Sequence, residues 1–332
     1  MIRAVLLNDT SSRYHHGCLR VSRVIKQGLL DQGIELLASS FAHTKWDKNK
    51  FFLQSMQEAQ LIIINGEGTM HNGAESGYHL LSVVEHQFAH GKPIALINSI
   101  WENNPSEWLS LLDRFTLVSV RDSNSLKNLQ KSGFYRAFVV PDLSLSESFE
   151  VSASKPYGLI VGDSVKAKMR HSLGIYCQRV KGTFLPTKFL SGRVWQYSYP
   201  RRILWRLYTR IFFGQVPNFK MALNEEEYLN LLSQASGHVT GRFHGVCFSI
   251  LAEVPFFAIS SVTSKINTLL VDAGLNKGRL VESFNLQETK IEGPPKFSPS
   301  ELENIRKYKN FARKKADQLF KKLAKLISKV NI

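Results

Sequence analysis

The sequence predicts an α/β protein made of two open halves, each a parallel sheet with helices on both faces. Three patterns carry that prediction. Strand and helix signals alternate along the chain instead of segregating. Strand candidates such as LIIIN at 61–65 are apolar throughout, as in parallel sheets covered on both faces. The alternation breaks in the Ser-rich, Pro-terminated stretch LSLSESFEVSASKP (143–156), which reads as a linker, and then restarts.

In order, 2–7 reads as a strand, 18–32 as an amphipathic helix stopped at Gly33, and 34–38 as the second strand. A helix over 47–60 leads into strand 61–65. Helix 77–90, strand 93–98, helix 105–114, strand 117–120, helix 123–132 and strand 137–140 follow. Past the linker, strands 157–161 and 183–186 flank a helix over 166–180. An irregular basic and aromatic insertion precedes helix 224–235, strand 238–240, helix 246–253, strand 256–259 and helix 265–274; a basic helix over 299–330 ends the chain. The domains expected are 1–145, 156–297 with the insertion at 188–220, and a helical tail over 298–332. Two halves of similar size predict a two-lobed enzyme with its cleft at the strand ends of both lobes.

At 332 residues, 43% of them hydrophobic, the chain can bury a core, and no stretch approaches the ~20 apolar residues of a bilayer span. Cys18, Cys177 and Cys247 stand far apart without a Cys-x-x-Cys pair, which fits a reducing compartment. The first apolar run is too short for a signal peptide, so a cytoplasmic location is expected. The formal charge of +16 is unevenly spread: residues 164–224 hold twelve Lys or Arg and no acid. Residues 298–332 hold ten basic residues against Glu301, Glu303 and Asp317. Such fields favour anionic partners, whether a phosphorylated substrate, lipid headgroups or nucleic acid.

Candidate site residues sit where strands hand over to helices. In NDTSSRYHHGC (8–18), Asn8 and Asp9 end the first strand, and Asp9 can accept a proton or hold a sugar hydroxyl; a capped helix start is the plain alternative. His15, His16 and Cys18 lack a second ligand pair at metal-binding spacing, so no metal is expected. Gly66-Glu67-Gly68-Thr69 either lets a ligand approach the backbone or is a tight turn, and its spacing matches neither a P-loop nor a dinucleotide fingerprint. Arg121, in VSVRDSNS with Asp122 or Ser123 as helix cap, reads as a two-pronged ligand for carboxylate or phosphate, or as half of an Arg–Asp surface pair.

In TGRFHGV (240–246), Gly241 and Gly245 free the backbone, Arg242 supplies charge, and His244 can transfer a proton near neutral pH. Lys265 opens a helix soon after the strand FFAIS. Arg121, Arg242, His244 and Lys265, all at strand ends, point to one anion site. In the insertion, Arg202, Arg206 and Arg210 form a cationic stripe beside Trp205, suited to an anionic membrane interface or to packing on the second lobe.

The strand-ending Gly-Glu-Gly-Thr loop, SVRD after a later strand, and TGRFHGVCFSILAEVPFFAIS with Lys265 beyond it resemble the bacterial polysaccharide pyruvyl transferase family. The resemblance spans residues 1 to about 275; Glu67 stands where that family more usually has glycine, and Asn8-Asp9-Thr10 where it has an Asn-x-Gly-Asp loop. It implies a GT-B-like fold, two Rossmann-like lobes facing across a cleft. It also implies transfer of a pyruvyl group from phosphoenolpyruvate onto a sugar of a cell-envelope polysaccharide or its lipid-linked precursor, forming a ketal without metal or other cofactor. His244 is carried over as the acid, Arg121 and Lys265 as anion ligands assisted by Arg242, and Asp9 as proton acceptor. The expected partners are phosphoenolpyruvate, a saccharide acceptor and, peripherally, the anionic inner face of the plasma membrane. The alternative is a GT-B glycosyltransferase whose nucleotide sugar is held by the same basic groups. A nucleic-acid-binding protein ranks below both, since no recognisable module is present.

Overall fold

A computed structural model describes residues 1–150, 158–189, 203, 207, 218–260, 264–281 and 293–328. The stripe of Arg202, Trp205, Arg206 and Arg210 lies outside the described residues. Two compact units emerge. One comprises Met1–Arg13, Cys18–Glu147 and Asn310–Ile332, the other Tyr14–Gly17 and Ser148–Lys309. No helix among the described residues is long and apolar enough to cross a membrane.

The first unit holds a six-stranded parallel sheet of β1 (Ile2–Asp9), β2 (Ile34–Phe41), β3 (Leu61–Asn65), β4 (Ile94–Ser99), β5 (Leu117–Val120) and β6 (Phe138–Val139), in the order β2-β1-β3-β4-β5-β6. Alternate side chains of a strand point to opposite faces. Val5, Leu7, Ile62 and Ile64 therefore pack on one face with Phe52 and Met56 of α2 (Lys50–Glu58). Ala4, Leu6, Leu61 and Ile63 pack on the other with Val21, Ile25 and Leu29 of α1 (His16–Leu30). The unit also contains α3 (Glu75–Leu81), α4 (Trp108–Leu112) and α5 (Ser123–Lys131).

The second sheet comprises β7 (Leu159–Ser164), β8 (Thr183–Phe184), β9 (Asn218–Phe219), β10 (Gly237–Gly241), β11 (Phe256–Ile259) and β12 (Leu280–Val281), in the order β9-β8-β7-β10-β11-β12. Among the described residues its helices include α6 (Ala167–Arg179), α7 (Glu225–Ser233), α8 (Phe243–Leu251), α9 (Lys265–Asp272) and the first part of α10 (Pro299–Ser328).

Several expectations shift. The helix read over 77–90 ends at Leu81 and continues as short 3-10 turns. The stretch read as a linker from residue 143 begins inside the first core, with Leu143 and Leu145 buried, and the units divide after Glu147. The last helix is no appendage to the first unit, because Ala316, Leu319, Phe320, Leu323 and Ile327 complete one face of its sheet. Gly28 of α1 permits that packing: a Cβ there would lie 2.4 Å from the Phe320 ring.

Each topology marks its own ligand crevice. Open α/β sheets bind ligands beyond the carboxyl ends of strands, where consecutive connections turn to opposite sides. In the first sheet that point lies between β1 and β3, at Asn8–Thr10 and Asn65–Glu67. In the second it lies between β7 and β10, at Asp163–Ser164 and Gly241–Arg242.

Candidate active site

The first unit's crevice is a buried polar network. Asn8 adopts a left-handed backbone (φ 60°), which asparagine tolerates better than most residues, and its amide donates to Asn65 O at 2.6 Å. Glu67 is turned inward. Its carboxylate accepts from Thr10 Oγ1 at 2.6 Å and Cys18 Sγ at 3.1 Å, and burial together with the neighbouring Glu67 pushes the Cys18 thiol well up. Gly66 is required by contact, since a Cβ would lie 2.4 Å from Ser99 Cβ, and Gly68 by its φ of +71°. Thr69 Oγ1 donates to Gly66 O.

Asp9 is fully buried. Burial alone would raise its carboxyl, but Lys26 Nζ at 2.8 Å, with Ser11 and Ser22, outweighs that and holds it below the ordinary carboxylate range. It is ionised, as a base has to be. Arg121 is 4% exposed and donates through Nη1 to Asp142 at 2.9 Å; the carboxylate of its neighbour Asp122 accepts from Ser125 N and caps α5.

The second unit assembles a denser site. Arg242 lies between β10 and α8, whose nine residues are all buried. Its Nε lies 2.8 Å and its Nη2 2.6 Å from Asp163 Oδ2 at the end of β7, while Asp163 Oδ1 accepts from Thr187 N at 2.9 Å. Phe243 and His244, expected in a loop before a helix starting at 246, form the first turn of α8 instead. The glycines act by close approach: a Cβ on Gly241 would lie 2.7 Å from Ser164 Cβ, and one on Gly245 2.5 Å from Thr240 Oγ1. No side chain of the N-cap residue, Arg242, closes the start of α8. A guanidinium and the positive end of a helix dipole therefore coincide, a setting that favours an anion.

His244 is 7% exposed, with its ring 5.2 Å from that of His15 and 5.4 Å from that of Phe243. Lys265 Nζ sits 6.0 Å from the centre of the Phe243 ring, which itself lies 5.4 Å from that of His244. Residues 14–16 join this unit by pairing with 187–189, through His16 N to Thr187 O at 3.1 Å and Phe189 N to Tyr14 O at 3.0 Å. That pairing sets Gly17 against the His244 ring, where an added Cβ would lie 2.1 Å from Cγ. Alanine would otherwise suit this helical position by up to about 1 kcal/mol. Gly17→Ala is expected instead to displace His244, costing about 1–3 kcal/mol of stability and most of any activity that depends on His244. Urea unfolding alongside steady-state kinetics checks both.

Sequence reasoning considered His16 only as a metal ligand. It is fully buried, stacked 4.7 Å from Phe189 and 5.2 Å from Tyr228, and neither ring nitrogen has a hydrogen-bond partner among the described residues. Burial lowers its pKa to about 4 against the pull of Asp163. His238 on β10, bonded to Ser249 Oγ at 2.8 Å, is lowered by burial to about 3. Both are depressed, so between these values and about 6.5 the unfolded chain binds more protons. Stability is therefore full above pH ~6.5 and lost as pH falls, by roughly 3 kcal/mol from each histidine near pH 4. Urea midpoints at pH 7, 5 and 4 test this, and His16→Leu is expected to flatten the dependence.

Comparisons with known proteins follow this geometry. The family model described as "Polysaccharide pyruvyl transferase" matches residues 22–261. No curated protein matches the sequence. Among solved structures, UDP-GlcNAc 2-epimerase from Neisseria meningitidis bound to UDP-GlcNAc aligns over 97% of this chain and 99% of its own, with TM-score 0.55 and 8% identity. S. aureus MnaA with UDP covers 96% of this chain and 91% of its own, with TM-score 0.54 and 10% identity. An α,α-trehalose-phosphate synthase (UDP-forming) from Burkholderia xenovorans covers 100% of both chains, with TM-score 0.50 and 10% identity. At these identities the likeness is one of fold: two α/β lobes of GT-B-like type.

Proposed function

The chain belongs to the polysaccharide pyruvyl transferase family, and from that premise we propose that it transfers pyruvyl from phosphoenolpyruvate to a saccharide acceptor as a cyclic ketal. The observation that carries the proposal is the coincidence of Arg242, braced by Asp163, with His244 at the uncapped start of α8. An anion-binding site with a proton donor beside it is what this donor substrate requires.

In the proposed reaction His244 delivers a proton to the methylene carbon of phosphoenolpyruvate, leaving a cation at C2. A sugar hydroxyl attacks C2 and returns its proton to His244. The C2–O bond to phosphate then breaks, and a second hydroxyl closes the ketal while its proton leaves with phosphate. Arg242, Lys265 and the α8 amides stabilise the departing charge. Arg121 remains a proposed ligand for the donor's carboxylate or phosphate, with Asp142 fixing its orientation. Asp9 remains the proposed acceptor of the second hydroxyl's proton, which it passes to the departing phosphate.

The direct test is incubation with phosphoenolpyruvate and saccharide acceptors. Phosphate release matched by a mass gain of a ketal-linked pyruvyl group supports the reading. A second reading, transfer from a nucleotide sugar, draws on the UDP-sugar enzymes that share the fold. Release of free nucleotide without consumption of phosphoenolpyruvate would favour it.

A further inference from the structure

The longest open sheet edge among the described residues belongs to β2 of the first unit. This strand pairs with β1 on one side and with no described strand on the other. The other three sheet edges, β6, β9 and β12, are two residues long each, and such short strands offer little template for further pairing. β2 runs for eight residues and contains neither proline nor lysine, two residues that block edge pairing. A bulge at Leu37, where the ladder to β1 skips a residue, bends the strand without capping its outer donors and acceptors. Beside the edge lies an open depression of about 360 Å³ whose lining includes Lys26 and Leu30 of α1 and Glu35, Leu36 and Ala38 of β2. Leu30 is 59% exposed, and Phe41, which ends β2, is 47% exposed. Apolar side chains left this open beside an unpaired strand mark a surface that another chain covers.

Charge indicates which chain. At a formal charge of +16, two copies of this protein repel each other over most of their surfaces. Residues 26–41 differ, holding Lys26 against Asp31 and Glu35. A polyanion finds little to grip there, whereas a second copy finds a match. Lys26 reaches the carboxyl end of the sheet, where its Nζ lies 2.8 Å from Asp9, while Glu35 sits near the amino end of β2. A twofold axis across β2 sets the two strands antiparallel and brings the Lys26 end of each copy to the Glu35 end of the other. That is the self-complementary arrangement a twofold contact needs. We propose that the protein forms a dimer through β2, with the two first sheets joined edge to edge. The contact would cover the outer side of the Lys26–Asp9 pair. Dimerisation is independent of the reaction assigned above.

The test is sedimentation velocity on the full chain at micromolar concentrations, where a species of twice the chain mass is expected. Glu35→Lys, which sets like charges against each other, and Leu30→Lys, which puts a charge into the contact, are each expected to weaken the dimer about tenfold or more. Both side chains are exposed, and circular dichroism melts confirm folding. Ser39→Lys, which places a lysine on the edge itself, supplies a third variant should either fail to fold. A wild-type chain that stays monomeric, or self-association unchanged in the folded variants, overturns the proposal.

Discussion

His244→Ala is expected to lower kcat by about 10²–10⁴-fold, the range a positioned general acid supplies, with little change in KM for phosphoenolpyruvate. The imidazole is held by packing on three sides: Gly17, His15 and the Phe243 ring. Truncation leaves Arg242 and the α8 amides in place, so the donor still binds while proton delivery fails. His244→Gln, of similar length and polar, should be almost as impaired, which separates proton transfer from space filling. Rates near wild type for both variants would remove His244 from the mechanism.

The second large effect concerns Asp163. Its carboxylate is fully buried between the Arg242 guanidinium and Thr187 N–H. Asp163→Ala leaves a charged guanidinium, 8% exposed, without this partner, and removing one member of a buried pair costs about 3–5 kcal/mol. Urea unfolding at pH 7.5 measures it, and a loss under about 1 kcal/mol would contradict the account. The double replacement Asp163→Leu with Arg242→Met is expected to regain much of the stability, since neither charge remains buried, but none of the activity. Arg242→Lys keeps the charge and loses the fixed fork, so kcat/KM is expected to fall about 10²–10³-fold. Fold and function thus part company at one residue pair.

The parallel sheets were legible because their central strands carry unbroken apolar runs: the four residues Leu61, Ile62, Ile63 and Ile64 are all buried. The edge strands β9 and β12 were not, since two residues carry no period and only their neighbours make them strands. The start of α8 was misread for a related reason. Arg-Phe-His-Gly carries turn chemistry locally, and its helical form depends on glycines whose value lies in contacts with Ser164 and Thr240.

Strand-end positions identified Arg121, Arg242, His244 and Lys265, but not what holds them. Arg121 is bonded to Asp142, 21 residues away, while the adjacent Asp122 caps α5. Arg242 is held by Asp163, 79 residues away, and only the order of the second sheet brings the two strand ends together. Gly-Asp-Ser directly after an apolar strand was the available signal for Asp163. For His16, whose place follows from pairing with 187–189, no local signal exists.

The most direct test of the account follows the proton. Pyruvyl transfer from phosphoenolpyruvate in heavy water should yield a product whose pyruvyl methyl group carries solvent deuterium, with phosphate formed in equal amount and both lost in His244→Ala. A product methyl without deuterium, or sugar transfer accompanied by free nucleotide, would contradict it.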